Sequence, residues 1–231
     1  MADHLALETP SAWVQRFAHL VAAGARVLDV ASGSGRHARL FADRGCLVDA
    51  VDRDAACGEK LAGIVGVRFT CADIESGAWP YAGHSFDAIV VTNYLHRPLL
   101  PVLRDALSSN GVLIYETFAA GNERYGKPSN PAFLLKPGEL LAAFAGLHVL
   151  AFEDGVISAP RPACIQRICV LRSADERRAR LEPISESAPE GCEQKAASAV
   201  LRLGRSSATV QRPPPSIHRL LFATRSAGIL R

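Results

Sequence analysis

No stretch of this sequence approaches the ~18 consecutive apolar residues that a membrane-spanning helix needs. The opening segment carries Asp3 and Glu8 where a secretory leader would hold an apolar core. Both absences point to a cytoplasmic protein with no membrane partner. Cysteine occurs six times, yet no pair is spaced C-x-x-C. Cys46, Cys71, Cys164 and Cys169 sit in or beside apolar runs, so the pattern argues for buried thiols in a reducing compartment, with no zinc site and no disulfide framework. An excess of basic charge is also missing where it would matter. Residues 1–173 hold 16 Lys+Arg against 17 Asp+Glu, while 174–231 hold 10 against 6. A basic surface for nucleic-acid phosphates is therefore not expected on the main body of the chain.

What is present begins with alternation. "RVLDVA" from Arg26 reads as a buried strand, "GRHARLFADRG" as a helix stopped by Gly45, and "CLVDAVD" as a second strand. A helix over "RDAACGEKLAG" and strands over "VRFTCAD" and "SFDAIVVTN" follow. Next come a helix over "RPLLPVLRDALSS", a strand over "GVLIYETF", a long polar loop "AAGNERYGKPSNPAFL" and a helix over "KPGELLAAFAG". Ahead of them, Thr9-Pro10 reads as a cap and first-turn proline for a helix whose Trp13, Phe17 and Leu20 share one face. The last strands, "LHVLAFEDG" and "ACIQRICVLR", are joined by a short loop only. A parallel crossover needs about a dozen residues, so this pair must be antiparallel. The expected fold is α/β: a doubly wound, seven-stranded, mostly parallel sheet with a C-terminal antiparallel hairpin. Residues 1–173 form one domain in this reading. Residues 174–231, rich in Ser, Ala, Arg and Pro without apolar periodicity, read as a disordered basic extension.

The chemistry centres on "VLDVASGSGRHARL". A glycine-rich turn between a strand and a helix lets a ligand approach the backbone at a helix N-terminus. Asp29 precedes the turn, Asp52 ends the second strand and Asp73 follows the third. In an open α/β sheet these strand ends share one crevice. A carboxylate at Asp52 can accept both hydroxyls of a ribose diol. A dinucleotide site usually carries G-x-G-x-x-G, but here Ala38 stands where the third glycine belongs, and Asp29 repels a pyrophosphate. Each residue also has a plainer reading: Asp29 and Asp73 as helix or turn caps, Asp52 as a strand-end turn former, and Gly33 and Gly35 as turn residues alone.

The stretch D-V-A-S-G-S-G resembles the first motif of the class I S-adenosylmethionine-dependent methyltransferases, an acid followed by x-G-x-G-x-G. Asp29, Gly33 and Gly35 match, and Ala31 replaces the first glycine. Within that class, "DVASGSGRHARLFADRG" is most similar to the tellurite-resistance-type small-molecule methyltransferases. The resemblance extends over residues 10–173, with "FDAIVVTNYLHR" and the final hairpin. It implies S-adenosyl-L-methionine as cofactor, with Asp29 near the methionine amino group, Asp52 on the ribose, and Asp73 with Ile74 at the adenine. Ala31, Ser32, Arg53 and Asn93 would complete the cofactor shell. The implied activity is methyl transfer to a small-molecule acceptor.

The acceptor is expected at the ends of the fourth and fifth strands. His96, Arg97 and Tyr125 are the candidates there, for a proton, an anionic group and closure of the site. Plainer readings are a capping histidine, an ion pair to the following helix and loop packing. The long loop suggests a lid or a binding loop. Two other functions compete. A nicotinamide-dependent oxidoreductase would need the missing third glycine and a Tyr/Lys pair at helical spacing, whereas Tyr125 and Lys127 are two apart. A non-catalytic cofactor-binding module would keep the pocket without the chemistry. Nothing in the sequence bears on oligomeric state.

Overall fold

The computed structural model describes residues 8–172. The extension expected over 174–231, like Cys192, lies outside the described residues.

The elements follow the hydrophobic periods. Helix α1 (Ala12–Phe17) runs into a short 3-10 turn and then strand β1 (Arg26–Val30). Helix α2 (Arg36–Asp43), β2 (Leu47–Asp52), α3 (Ala55–Leu61), β3 (Val67–Cys71) and β4 (Phe86–Thr92) come next. Helix α4 (Leu99–Asp105), β5 (Leu107–Phe118), α5 (Glu139–Ala143), β6 (His148–Ile157) and β7 (Ala163–Leu171) complete the set. The cap of α1 is Ser11, whose hydroxyl accepts from the Trp13 N–H, so the helix starts two residues after the expected Thr9-Pro10 cap. The fourth helix is shorter than expected. Ser108 and Ser109 belong to the irregular start of β5, where the pairing with β4 jumps from Phe86↔Leu107 to Ala88↔Val112.

The seven strands lie in the order β3-β2-β1-β4-β5-β7-β6. All pairs are parallel except those of β7, which runs antiparallel to both β5 and β6. The expected hairpin is present, and its second strand inserts between β5 and the first. Successive residues of each central strand alternate between two cores. Val27, Ala88, Val90, Val112 and Ile114 meet Trp13, Phe17, Phe41 and Leu61 from α1, α2 and α3. Leu28, Ile89, Val91, Leu113 and Tyr115 meet Leu99, Leu103, Leu140 and Phe144 from α4 and α5. Strand β3 forms one edge of the sheet, which leaves Cys71 exposed where a buried thiol was expected; Cys46, Cys57, Cys164 and Cys169 are buried.

The long segment after β5 is pinned rather than free. Asn122, buried, accepts from the Cys164 N–H at 3.2 Å and donates to the Pro128 carbonyl at 3.0 Å. Gln166, fully buried on β7, accepts from the Leu140 N–H at 2.7 Å and donates to Lys136 O at 3.1 Å and Asp154 Oδ2 at 2.8 Å. Both its N–H donors and one acceptor site are used, and the bond to Leu140 holds α5 to the sheet. Gln166→Ala should therefore strand the buried Leu140 N–H and cost about 1–3 kcal/mol from that group alone. Urea unfolding of the two proteins measures it, and an unchanged midpoint would show that α5 is held by apolar packing only.

Candidate active site

The C-terminal ends of β1 to β4 open into a cavity of about 290 Å³. Ala31, Ser32, Gly33, Asp52, Arg53, Asp73, Ile74 and Asn93, all expected at the site, line it. The turn from β1 to α2 is built of left-handed residues, with φ of 53° at Ala31, 54° at Gly33 and 75° at Gly35. Ala31 thus holds the backbone state of the glycine it replaces, at the cost an L residue meets there. Gly35 is obligatory for a second reason, since a Cβ on it would overlap the Leu61 side chain. Gly35 shapes the turn from outside the cavity.

Asp52 is 9% exposed, and its carboxylate joins two loops. Oδ2 accepts from the Gly33 N–H at 2.9 Å and Oδ1 from the Asp54 N–H at 3.0 Å. The Cys57 thiol also bonds this carboxylate, so of its about four acceptor sites one remains for a ligand. Asp29 lies below the turn, 2% exposed and away from the cavity wall, with Oδ2 accepting from the Ala38 N–H at 3.0 Å. It caps the first turn of α2, and direct lining of the ligand space by Asp29 is not observed. Burial pushes its pKa up to about 8; the Ala38 N–H and Arg36 oppose the rise, and Asp52 adds to it. Asp73 lines the cavity, as expected. Its oxygens accept from the Glu75 N–H at 2.9 Å and the Ser76 hydroxyl at 2.6 Å, so the carboxylate organises its own turn, and Ile74 and Ala72 present the apolar surface.

The three acceptor-side candidates, His96, Arg97 and Tyr125, do not line the cavity. Arg97 binds Glu139 through Nε at 2.6 Å and Nη2 at 3.0 Å, and the carbonyls of Ala132 and Leu134 at 2.7 and 2.8 Å. Its partner helix is α5, not the following α4, and its guanidinium is a structural tie rather than an anion site. His96 is half-buried at the turn into α4, where its carbonyl accepts from the Leu99 N–H at 3.0 Å. Tyr125 is 45% exposed on the loop after β5. Thr92, Tyr94, Glu75 and Arg36 line the cavity without having been singled out for it. Arg36 was legible as the residue directly after Gly35, since the first side chain of a helix must stand beside the turn that starts it. Asn93 adopts φ 57°, a left-handed state that asparagine tolerates best after glycine, and its N–H donates to Glu116 O at 2.9 Å across to β5.

A buried acid with a raised pKa sets a pH dependence. The folded value of about 8 lies above the unfolded one, which is ~3.9. The neutral carboxyl therefore favours the fold; this contribution is whole below ~pH 4 and is lost as pH rises toward the folded value. Asp29→Asn keeps an acceptor for Ala38 and does not titrate. It should flatten the fall in unfolding free energy between ~pH 5 and 8, whose limit for one proton is about 1.4 kcal/mol per pH unit. Parallel stability profiles of the two proteins would show that Asp29 is ionised in the fold.

The cavity suits an adenosine bearing an amino-acid chain. It combines a buried carboxylate for a diol, apolar residues for a flat base, and the buried Ser32 hydroxyl, which has no hydrogen-bond partner among the described residues. Residues 27–110 match a family model described as a methyltransferase domain. No curated protein matches the chain. Among solved structures, TehB from Haemophilus influenzae is similar at 14% identity and a TM-score of 0.59, over 70% of this chain and 61% of that one. This chain thus spans under two thirds of the length of that relative. A TehB-like SAM-dependent methyltransferase from Corynebacterium glutamicum matches at 17% identity and a TM-score of 0.51, over 70% and 87%. An S-adenosylmethionine-dependent methyltransferase from Mesorhizobium loti matches at 16% and 0.55, over 70% and 99%. At such identities these likenesses establish the fold. The family match contains the glycine turn, Asp52, Asp73 and the β4 rim, so residues 27–110 of this chain are similar to a methyltransferase domain, and the fold is that of the solved methyltransferases.

Proposed function

We propose that the domain methylates a small-molecule acceptor that enters over the ends of β4 and β5, with Asp52 receiving the ribose diol of S-adenosylmethionine. The observation that carries this reading is the Asp52 carboxylate, buried on the cavity wall and aimed by two backbone N–H groups. When bound, the cofactor supplies a methyl already activated on a sulfonium, so the protein contributes mainly position and electrostatics. Transfer forms one bond to an acceptor lone pair as the carbon–sulfur bond breaks, and sulfur keeps the electron pair.

The chain's own residues set where this can happen. Ala31 to Gly33 and Asp52 close one side of the cavity; Thr92, Asn93 and Tyr94 close the side toward β5. Register places Thr92 opposite Glu116, so the ends of β4 and β5 form one continuous rim. Glu116 is held by Ser11 Oγ at 2.7 Å and Arg167 Nη1 at 3.0 Å, which disfavours it as a base. An acceptor that attacks through an unprotonated lone pair suits this rim best. Tyr125 and His96 stand on segments bordering it and are proposed as outer contacts for the acceptor. Arg97 is withdrawn from that role by its tie to Glu139.

Titration calorimetry with S-adenosylhomocysteine tests the reading. Asp52→Asn should weaken binding at least ~10-fold, the loss expected for charged hydrogen bonds of about 1.5–3 kcal/mol. Unchanged affinity would remove Asp52 from the ribose site. Response to NAD(H) with none to S-adenosylhomocysteine would instead favour nicotinamide chemistry. Mass detection of methylated products in a metabolite mixture then identifies the acceptor class.

A further inference from the structure

Behind the candidate ribose site stands a side chain that the proposed function does not use. Cys57 lies in the first turn of α3, is fully buried and does not line the cavity. Its thiol bonds the Asp52 carboxylate, a third donor beside the N–H groups of Gly33 and Asp54.

The local fold brings the thiol there. Asp54 caps α3: its side chain accepts from the Ala56 N–H at 3.0 Å and its carbonyl from the Cys57 N–H at 3.0 Å. The residue that starts the helix is therefore itself tied to Asp52 through its own N–H. Gly58, the next residue, lets α3 lie close on β3, since a Cβ there would fall 2.5 Å from the Phe69 ring. Leu61, four residues after Cys57 and on the same face, packs against Gly35. One buried face of α3 thus backs both the carboxylate and the glycine turn.

The thiol keeps its proton at ordinary pH. Burial first, then the charges of Asp52 and Asp54, push its pKa up to about 12. A thiolate there would face two acids, whereas the S–H can donate. A thiol is a weak donor, so what it supplies is direction more than strength. With three acceptor sites filled, the carboxylate cannot turn its remaining site away from the cavity without breaking a bond.

We propose that Cys57 is a positioning residue for the candidate ribose site, its thiol holding the Asp52 carboxylate in the orientation that leaves one acceptor site open to a ligand hydroxyl. This rests on the cofactor-binding reading above and adds to it a residue that touches only Asp52.

The test is calorimetry on the full chain, unmodified and as Cys57→Ala and Cys57→Ser. Two ligands are used: S-adenosylhomocysteine and its analogue lacking both ribose hydroxyls. The unmodified protein should prefer S-adenosylhomocysteine. Cys57→Ala, which removes the donor, should weaken S-adenosylhomocysteine by about 3- to 10-fold and leave the dideoxy analogue unchanged. Cys57→Ser loses volume too but keeps a donor, so it should stay near the unmodified protein. Equal weakening of both ligands in Cys57→Ala would overturn the proposal, as would the same loss in Cys57→Ser as in Cys57→Ala; either makes Cys57 a packing residue only. Unaltered affinity in Cys57→Ala would overturn it as well. If Cys57→Ala does not fold, Cys57→Val, which fills the space without a donor, is read by the same criteria. An unmodified protein that binds neither ligand, or both equally, overturns the ribose assignment of Asp52 itself, whereas a preference that survives Cys57→Ala intact overturns only the role of Cys57.

Discussion

The bond from the Gly33 N–H to the Asp52 carboxylate joins the ends of two neighbouring strands across the mouth of the crevice. Everything on the ligand side depends on it. Without an acceptor for that N–H, a turn containing three left-handed residues would have no reason to hold one shape. Asp29 supports the same turn from beneath by capping α2. Two acids at the ends of adjacent strands thus divide the work: one, at the surface of the cavity, keeps acceptor capacity for a ligand, and the other is buried, largely neutral and structural. Their difference is one of solvation. Asp52 opens on the cavity, while Asp29 is enclosed by the helix it caps.

The acceptor side of the crevice depends on a different constraint, the placement of β7 between β5 and β6. This buries the Gln166 amide at the centre of the added strands, where only full hydrogen bonding makes it tolerable. Its three partners belong to α5, the loop before it and β6. Arg97 and Asn122 anchor neighbouring parts of the same connection. The long polar segment after β5 therefore reads as a fixed wall. Part of its polarity serves its own hydrogen bonds.

Strand and helix positions were legible because the apolar periods of β1, β2, β4 and β5 are uninterrupted and the intervening glycines stop the helices. The antiparallel sense of the last pair followed from a connection too short to cross over. The location of β7 inside the sheet was not legible, since no local signal encodes which neighbour a strand pairs with. The cofactor face was also largely legible: a glycine turn and strand-end acids occupy positions that the α/β topology brings together. Ser32, Gly33, Asp52, Arg53, Ile74 and Asn93 meet on one cavity for that reason.

The limits of that reading lie in the partners of charged side chains. Asp29, Asp73 and Arg97 are polar residues at functional-looking places, but a side chain's role depends on which donors and acceptors come within about 3 Å, and most of those are distant in sequence. Arg97 meets Glu139 across 42 residues; Asp29 meets the backbone of the helix after its strand. Arg36 shows the converse, a residue unremarkable in sequence that the fold leaves half-buried on a cavity wall, with no carboxylate in ion-pair reach among the described residues. The sequence by itself determined the α/β class, the glycine turn and the strand-end acids, because these follow from local backbone preference and periodic burial. Tertiary structure alone decided which charges are already satisfied and which still face the ligand, because hydrogen bonds and ion pairs act over a few ångströms between residues that only folding brings together.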